Sequence, residues 1–213
     1  MVVLKLKKTF PMNFVSNQDF QRAFRRTLVR ANIPVAYSEG FSPHMQVDFT
    51  PPIPLGIESL AEYVSVDTTL SSAEVKERFN ANAPEGLEIV KAYDTDRFNP
   101  AANTGAAEYE VELDPEIAGK ILAFARADEV KITYLDRGKE ITKEVAKKIF
   151  DVSYEGGRLR LRLAAGNDNL RADRLLESAG REVGADIRAI DLVKTETYVD
   201  GSVSFEKFLD GRV

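Results

Sequence analysis

The sequence predicts an α+β protein of two tandem ferredoxin-like halves, each with an antiparallel sheet and its helices on one face. Three observations carry that reading. Alternating and helical apolar patterns succeed one another as strand, helix, strand, strand, helix, strand between residues 2 and 93. The same order restarts near residue 107, a repeat of roughly a hundred residues that marks a duplicated domain and not a solenoid. Between them residues 94–106, DTDRFNPAANTGA, have the Asn, Pro and Gly content of a linker.

In the first half, residues 1–93, VVLKLKKT alternates as a strand. Ser16 and Asp19 then form an S-x-x-D helix start before Phe20, Ala23, Phe24, Thr27, Leu28 and Ala31 recur at helical spacing. A loop with Pro34, Gly40 and Pro43 leads to MQVDF, a strand with Met45, Val47 and Phe49 on one face, and PPIPLG then breaks the chain. EYVSVDT reads as the third strand, SSAEVKERFNANA as a helix opening at Ser71 or Ser72 and ending near Pro84, and LEIVKAY as the fourth strand.

In the second half, residues 107–213, AEYEVEL is a strand, DPEIAGKILAFARA a helix opening on Asp114 and Pro115, and EVKITYL the second strand. An insertion over about residues 136–157 contains KEITKEVAKKIF, which periodicity leaves open between a helix and a strand with a short turn. RLRLRLA, LRADRLLESAG and IRAIDLVKTETYV complete the half as strand, helix and strand. A tail containing Phe205 and Phe208 is expected to dock on the body.

Composition narrows the function. At 213 residues, 44% hydrophobic and 30% charged, the chain can bury real cores. It contains no Cys, which rules out disulfides and Cys-held zinc or iron–sulfur clusters in this polypeptide and fits a reducing compartment. The start lacks the apolar core and small-residue cleavage site of a leader, and no apolar run reaches membrane-spanning length, so the expected location is the cytoplasm with no membrane partner. A net charge of −5 argues against a generic nucleic-acid-coating protein. That average conceals polarity, because residues 1–34 hold seven Lys and Arg against Asp19 alone, a local +6 that leaves −11 for the remainder.

Arg158, Arg160 and Arg162 alternate with leucines and share one sheet face, as a phosphate-binding ladder would. Glu108, Glu110 and Glu112 form an opposite ladder on the strand expected beside it, so the favoured reading is cross-strand neutralisation with Glu110 opposite Arg160. Were those strands not adjacent, the arginines would return as a binding candidate.

The least ordinary stretch is Tyr37-Ser-Glu-Gly-Phe-Ser-Pro-His44, followed by MQVDF and PPIPLG. With FQRAFRRTLVRANIPVAYSEGFSPH upstream and IESLAEYVSVDT downstream, the chain resembles the radical-SAM-linked bacterial family of unknown function, over essentially its whole length. AYSEGFSPH and the IPLG turn are the specific part of that resemblance, and AAEYEVEL and GRLRLRLAAG agree in place and order. Members of that family occur alone or C-terminal to a radical SAM protein with a cobalamin-binding-type domain, and some are linked to a ribonuclease of the G type. The resemblance supplies no catalytic residues. It implies a radical SAM protein as partner, with S-adenosylmethionine, an iron–sulfur cluster and cobalamin held by that partner and no cofactor by this chain, which lacks the three cysteines.

The residues themselves nominate two features. Arg22, Arg25, Arg26 and Arg30 form a basic ridge opposite the apolar stripe of the first helix, suited to RNA phosphates or an acidic partner, or to an ordinary solvated face. Tyr37, Ser38, Gly40, Phe41, Pro43 and His44 form a loop suited to recognition, with Gly40 allowing the turn and Pro43 setting the entry to the strand. His44 is the only histidine, which excludes a multi-histidine metal site and leaves it a lone catalytic candidate near Ser38, Glu39, Ser42 and Asp48. Asp94, Asp96 and Asp168 lack calcium-loop spacing, Asp168 and Asn169 suit a turn before a helix, and the phosphate-loop, dinucleotide and GxSxG motifs are absent, so no metal is expected.

Together these readings favour an accessory or substrate-recognition protein without catalysis of its own, working with a radical SAM enzyme on RNA or a ribosome-linked substrate. The alternatives are an enzyme using His44 in a cleft between the halves, and a simple RNA-binding module. Recognition predicts Tyr37, Phe41, His44 and the arginines on one concave surface; an enzyme predicts an acid–base partner about 3 Å from His44.

Overall fold

The computed structural model describes residues 1–211. Its elements are β1 (Val2–Lys8), α1 (Asn17–Arg30), β2 (Val47–Phe49), β3 (Glu58–Val66), α2 (Ser72–Asn80), β4 (Leu87–Asp94), α3 (Pro100–Asn103), β5 (Ala106–Glu112), α4 (Pro115–Ala125), β6 (Lys131–Asp136), β7 (Lys139–Glu144), β8 (Ile149–Glu155), β9 (Arg158–Ala164), α5 (Ala172–Val183), β10 (Leu192–Tyr198) and α6 (Phe205–Asp210). The fold is α+β.

One mixed sheet of eight strands runs through the molecule in the order β4-β1-β3-β10-β5-β9-β8, with β2 also pairing to β3. This corrects the expectation of two separate antiparallel sheets. β2 covers only the Val64–Val66 end of β3, because the prolines at 51, 52 and 54 have no N–H with which to extend the ladder. The other end of β3 would be left as an unpaired edge. β10 fills it, running parallel with Val193 against Glu58 and Lys194 against Ser59, the single parallel pairing of this sheet among the described residues.

EVKITYL is a strand, but β6 leaves the main sheet and pairs only with β7. Arg137 and Gly138, at φ 49° and 78°, close a two-residue turn that twists with its strands, so the chain folds back before it can reach the sheet. β8, within the stretch expected as an insertion, pairs with β9 instead. The open question over residues 139–150 resolves as strand, one 3-10 turn at Ala146–Lys148, and the start of β8.

Ser16 caps α1, its hydroxyl accepting the Asp19 N–H, and Phe20, Phe24 and Leu28 turn inward onto Leu4, Leu6, Val64 and Val66. A second core lies under α4 and α5, with Leu159, Leu161, Leu163, Leu175 and Leu176 at its centre. Alternation sends Val3, Ala61, Tyr63 and Tyr93 to the opposite face, where α6 covers them through Phe205 and Leu209, joined by Phe98. Helices therefore lie on both faces, because β1 and β3 are apolar on both sides and each side must be covered.

Between the two larger cores, Lys194 Nζ donates to Glu62 Oε1 at 2.8 Å with both side chains almost fully buried. The Ser59 and Thr50 hydroxyls donate to the same carboxylate at 2.8 and 3.0 Å. A buried ion pair thus ties β3 to β10, where the halves of the chain meet. The arginine ladder pairs as expected, with Glu112 opposite Arg158, Glu110 opposite Arg160 and Glu108 opposite Arg162. Arg160 Nη2 lies 2.8 Å from Glu110 and Arg162 Nη2 lies 3.1 Å from Glu108, which removes this ladder as a phosphate site.

Candidate functional site

With Phe24 and Leu28 turned inward, helical geometry sends Arg25, Arg26, Val29 and Arg30 outward from the C-terminal half of α1. The chain then reverses through Asn32, at φ 50°, and buried Ile33. The base of the next loop is tied to the end of β3: Ala36 N–H donates to Asp67 O at 2.8 Å, and Asp67 N–H to Gln46 O at 3.2 Å. Gln46 N–H reaches Ala36 O at 2.8 Å, Tyr37 bridges Met45, and Ser38 N–H donates to His44 O at 2.9 Å. Residues 36–46 are therefore a small hairpin standing beside α1.

Helix and hairpin enclose a groove of about 640 Å³. Arg25, Arg26 and Arg30 form one wall, Tyr37, Pro43 and His44 the other, and Val29 and Met45 supply further apolar surface. Six of the ten predicted binding residues thus meet at one concavity. Ser38 stands behind it, holding the loop. Gly40, at φ +116° with open space where a Cβ would stand, turns the tip, where Phe41 is fully exposed beyond the groove wall. Arg22 lies a turn away from the groove and is paired with Asp19 at 2.9 Å.

The groove is cationic, and its arginines form no ion pair among the described residues, Arg26 acting on Asp19 only at longer range. Asp19 is the only acid on α1, and the Ser16 hydroxyl, then Arg22, hold its carboxyl below the usual range. Arg25 donates to Gln21 Oε1 at 3.3 Å and lies 5.3 Å from the Phe49 ring; Arg30 donates to Thr27 Oγ1 and to Asn82 O. Arg26 has no hydrogen bond or ion pair, and none of the three faces a carboxylate within 4.0 Å, among the described residues. Three guanidiniums beside Val29, Met45 and the half-exposed Tyr37 ring suit an anion that carries a flat or apolar body.

His44 Nδ1 lies 2.9 Å from Ser38 Oγ, which also accepts the His44 backbone N–H at 3.1 Å. The hydroxyl thus clasps the loop. Among the described residues no carboxylate is hydrogen-bonded to the ring, so the base lacks the third group that would orient it for nucleophilic catalysis. The alternative of His44 in a cleft between the halves is corrected by position, since every lining residue lies between 25 and 45, within the first half.

Val29 and Met45 were not singled out in the sequence. Val29 could have been, as an apolar residue on the basic side of an amphipathic helix; Met45 gave no signal, because its alternation with Val47 and Phe49 reads as core. Among the described residues no group of three or more His, Cys, Asp or Glu could hold a metal, and no helix is long and apolar enough to cross a membrane.

The family model described as "Uncharacterized protein conserved in bacteria" (DUF2344) matches residues 2–179, and the chain belongs to that family. No curated protein matches it. Among solved structures, one described as "Crystal Structure of a Cbf5-Nop10-Gar1 Complex" is similar over 92% of this chain, with 14% identity and a TM-score of 0.47. This chain spans 48% of that chain's length.

Proposed function

We propose that this protein is a cytoplasmic recognition factor that grips an RNA segment in the groove between α1 and the Tyr37–His44 hairpin and presents it to a radical SAM enzyme. The observation that carries the RNA-binding part is the wall of three carboxylate-free guanidiniums facing an aromatic and apolar wall. Phosphates suit Arg25, Arg26 and Arg30, and Tyr37 and Phe41 offer faces on which unpaired bases stack. The radical SAM partnership rests on the family resemblance, and that partner would hold the S-adenosylmethionine, iron–sulfur cluster and cobalamin. On this reading the two halves are ferredoxin-like units, which the shared antiparallel orders β4-β1-β3-β2 and β10-β5-β9-β8 support.

Two measurements test the proposal. Fluorescence anisotropy with a labelled single-stranded RNA should show binding that weakens with salt, with a log–log slope near −2 if three phosphates are engaged at about −0.7 each. Arg25→Glu with Arg26→Glu should abolish it. Phe41→Ala should weaken it by roughly fivefold to a hundredfold, the worth of about 1–3 kcal/mol per stacked base, while leaving stability within about 0.5 kcal/mol. Unchanged RNA affinity in the charge-reversed variant would overturn the groove assignment. Affinity capture of the full chain from its native cells should recover RNA and a radical SAM protein; recovery of neither would overturn the function.

A further inference from the structure

The sheet face covered by α6 in the first half continues across the second without a helix over it, with only the Glu108–Arg162 end met by Tyr198 and the Gly201 carbonyl. From the registers, Val193 stands between Glu58 and Glu110, with Arg160 and Ser153 next in line on β9 and β8. Thr195 stands beside Glu108, bonded to it at 3.3 Å, followed by Arg162 and Asp151. At the junction of the halves this surface dips into a groove of about 490 Å³ with Leu60 and Val193 among its walls. At its near end the Glu58 carboxylate accepts the Phe10 N–H.

The covered half shows how a helix docks on this sheet. α6 lays Phe205 and Leu209 onto Tyr63 and Val3, and its acids meet the strand lysines: Glu206 pairs with Lys5 at 2.7 Å and Lys91 at 2.9 Å, and Asp210 with Lys91 at 2.9 Å. The uncovered half has the opposite charge. Its three arginines are flanked by Glu108, Glu110 and Glu112 on β5 and by Asp151 and Glu155 on β8, and Glu58 and the Asp191–Arg188 pair add to the near end, so carboxylates outnumber guanidiniums seven to four.

We infer that this face is a docking surface for a basic amphipathic helix of a partner protein, seated beside α6 with apolar side chains on Leu60 and Val193 and its Lys or Arg residues along the carboxylate rows. Charge selects the occupant. A nucleic acid is repelled by the surplus of carboxylates, and a second copy's α6 carries acids where bases are needed. The inference stands apart from the α1 groove.

The test uses the full chain and a synthetic amphipathic peptide of about 18 residues, long enough to hold a helix, with a leucine stripe and lysines elsewhere. Backbone amide NMR shifts should cluster on Leu60, Val193 and Thr195, with affinity on the order of 10 μM. A peptide of equal charge with serines replacing the leucines should bind at least about tenfold weaker. Glu112→Lys with Glu155→Lys, both at exposed positions, should also weaken binding about tenfold or more at low salt while the circular dichroism stays unchanged. The inference is overturned if shifts gather elsewhere, if the serine peptide binds as well, if charge reversal changes nothing, or if no shift appears up to about 1 mM peptide. Self-association of the chain through this face would equally overturn it.

Discussion

Replacing Lys194 by Met separates what joins the halves from what merely lies between them. The amine and the Glu62 carboxylate have side chains only 3% and 6% exposed, and their contact is 2.8 Å. With the amine gone, Glu62 keeps the Ser59 and Thr50 hydroxyls but loses its ion pair, leaving buried Lys8 as a more distant counter-charge. Breaking such a pair on one side costs about 3–5 kcal/mol. At roughly 2–4 °C per kcal/mol for a chain of this length, Tm should fall by about 6–20 °C. Urea unfolding followed by circular dichroism at pH 7 measures the loss. Adding Glu62→Gln removes the charge while keeping an acceptor for both hydroxyls but takes the carboxylate away from buried Lys8, so the double variant should recover part of the loss. A single-variant loss below about 1 kcal/mol at neutral pH, or a double variant no better than the single, would refute the reasoning.

Two further outcomes follow from the other face of the sheet and from the buried phenols. Phe205→Ala empties a fully buried site beside Tyr63 and Phe98, with ring centroids at 5.0 and 5.2 Å, and should cost about 3–5 kcal/mol in the same denaturation assay; a loss under about 1 kcal/mol would mean that α6 is not structurally anchored there. Burial pushes Tyr93 and Tyr198 up to about 12 and also raises Tyr63 and Tyr109. Their contribution to stability is complete below the unfolded value of about 10 and is lost as pH rises from there towards 12. Tyrosinate absorbance should thus rise in two stages, the later one coinciding with loss of far-UV circular dichroism; a single step near pH 10 with the fold intact would contradict the burial.

How far the candidate site could be read in advance differs from residue to residue. Arg25, Arg26 and Arg30 were legible because a helix converts spacing into direction, so the inward stripe of Phe20, Phe24 and Leu28 places them outward without further knowledge. Tyr37 and His44 were legible as loop residues, but their position across from the arginines depends on the backbone bonds that anchor the hairpin to Asp67, thirty residues further along the chain. Phe41 was expected in the concavity and stands outside it, because the turn at Gly40 carries the tip beyond the walls.

The sequence by itself determined the α+β class, the order of most elements, the neutral pairing of Glu110 with Arg160, and the basic ridge, since each follows from local periodicity or from strands near each other in order. Only the tertiary structure decided that the sheets fuse into one, that β6 leaves the sheet, and that α6 crosses to the other face. The first depends on which end of β3 is left without partners, the second on a two-residue turn with positive φ, and the third on apolar residues on both sides of β1 and β3 that require covering from two directions. Local pattern specifies what a segment is; which open edge or face it satisfies is settled only when distant parts of the chain compete for it.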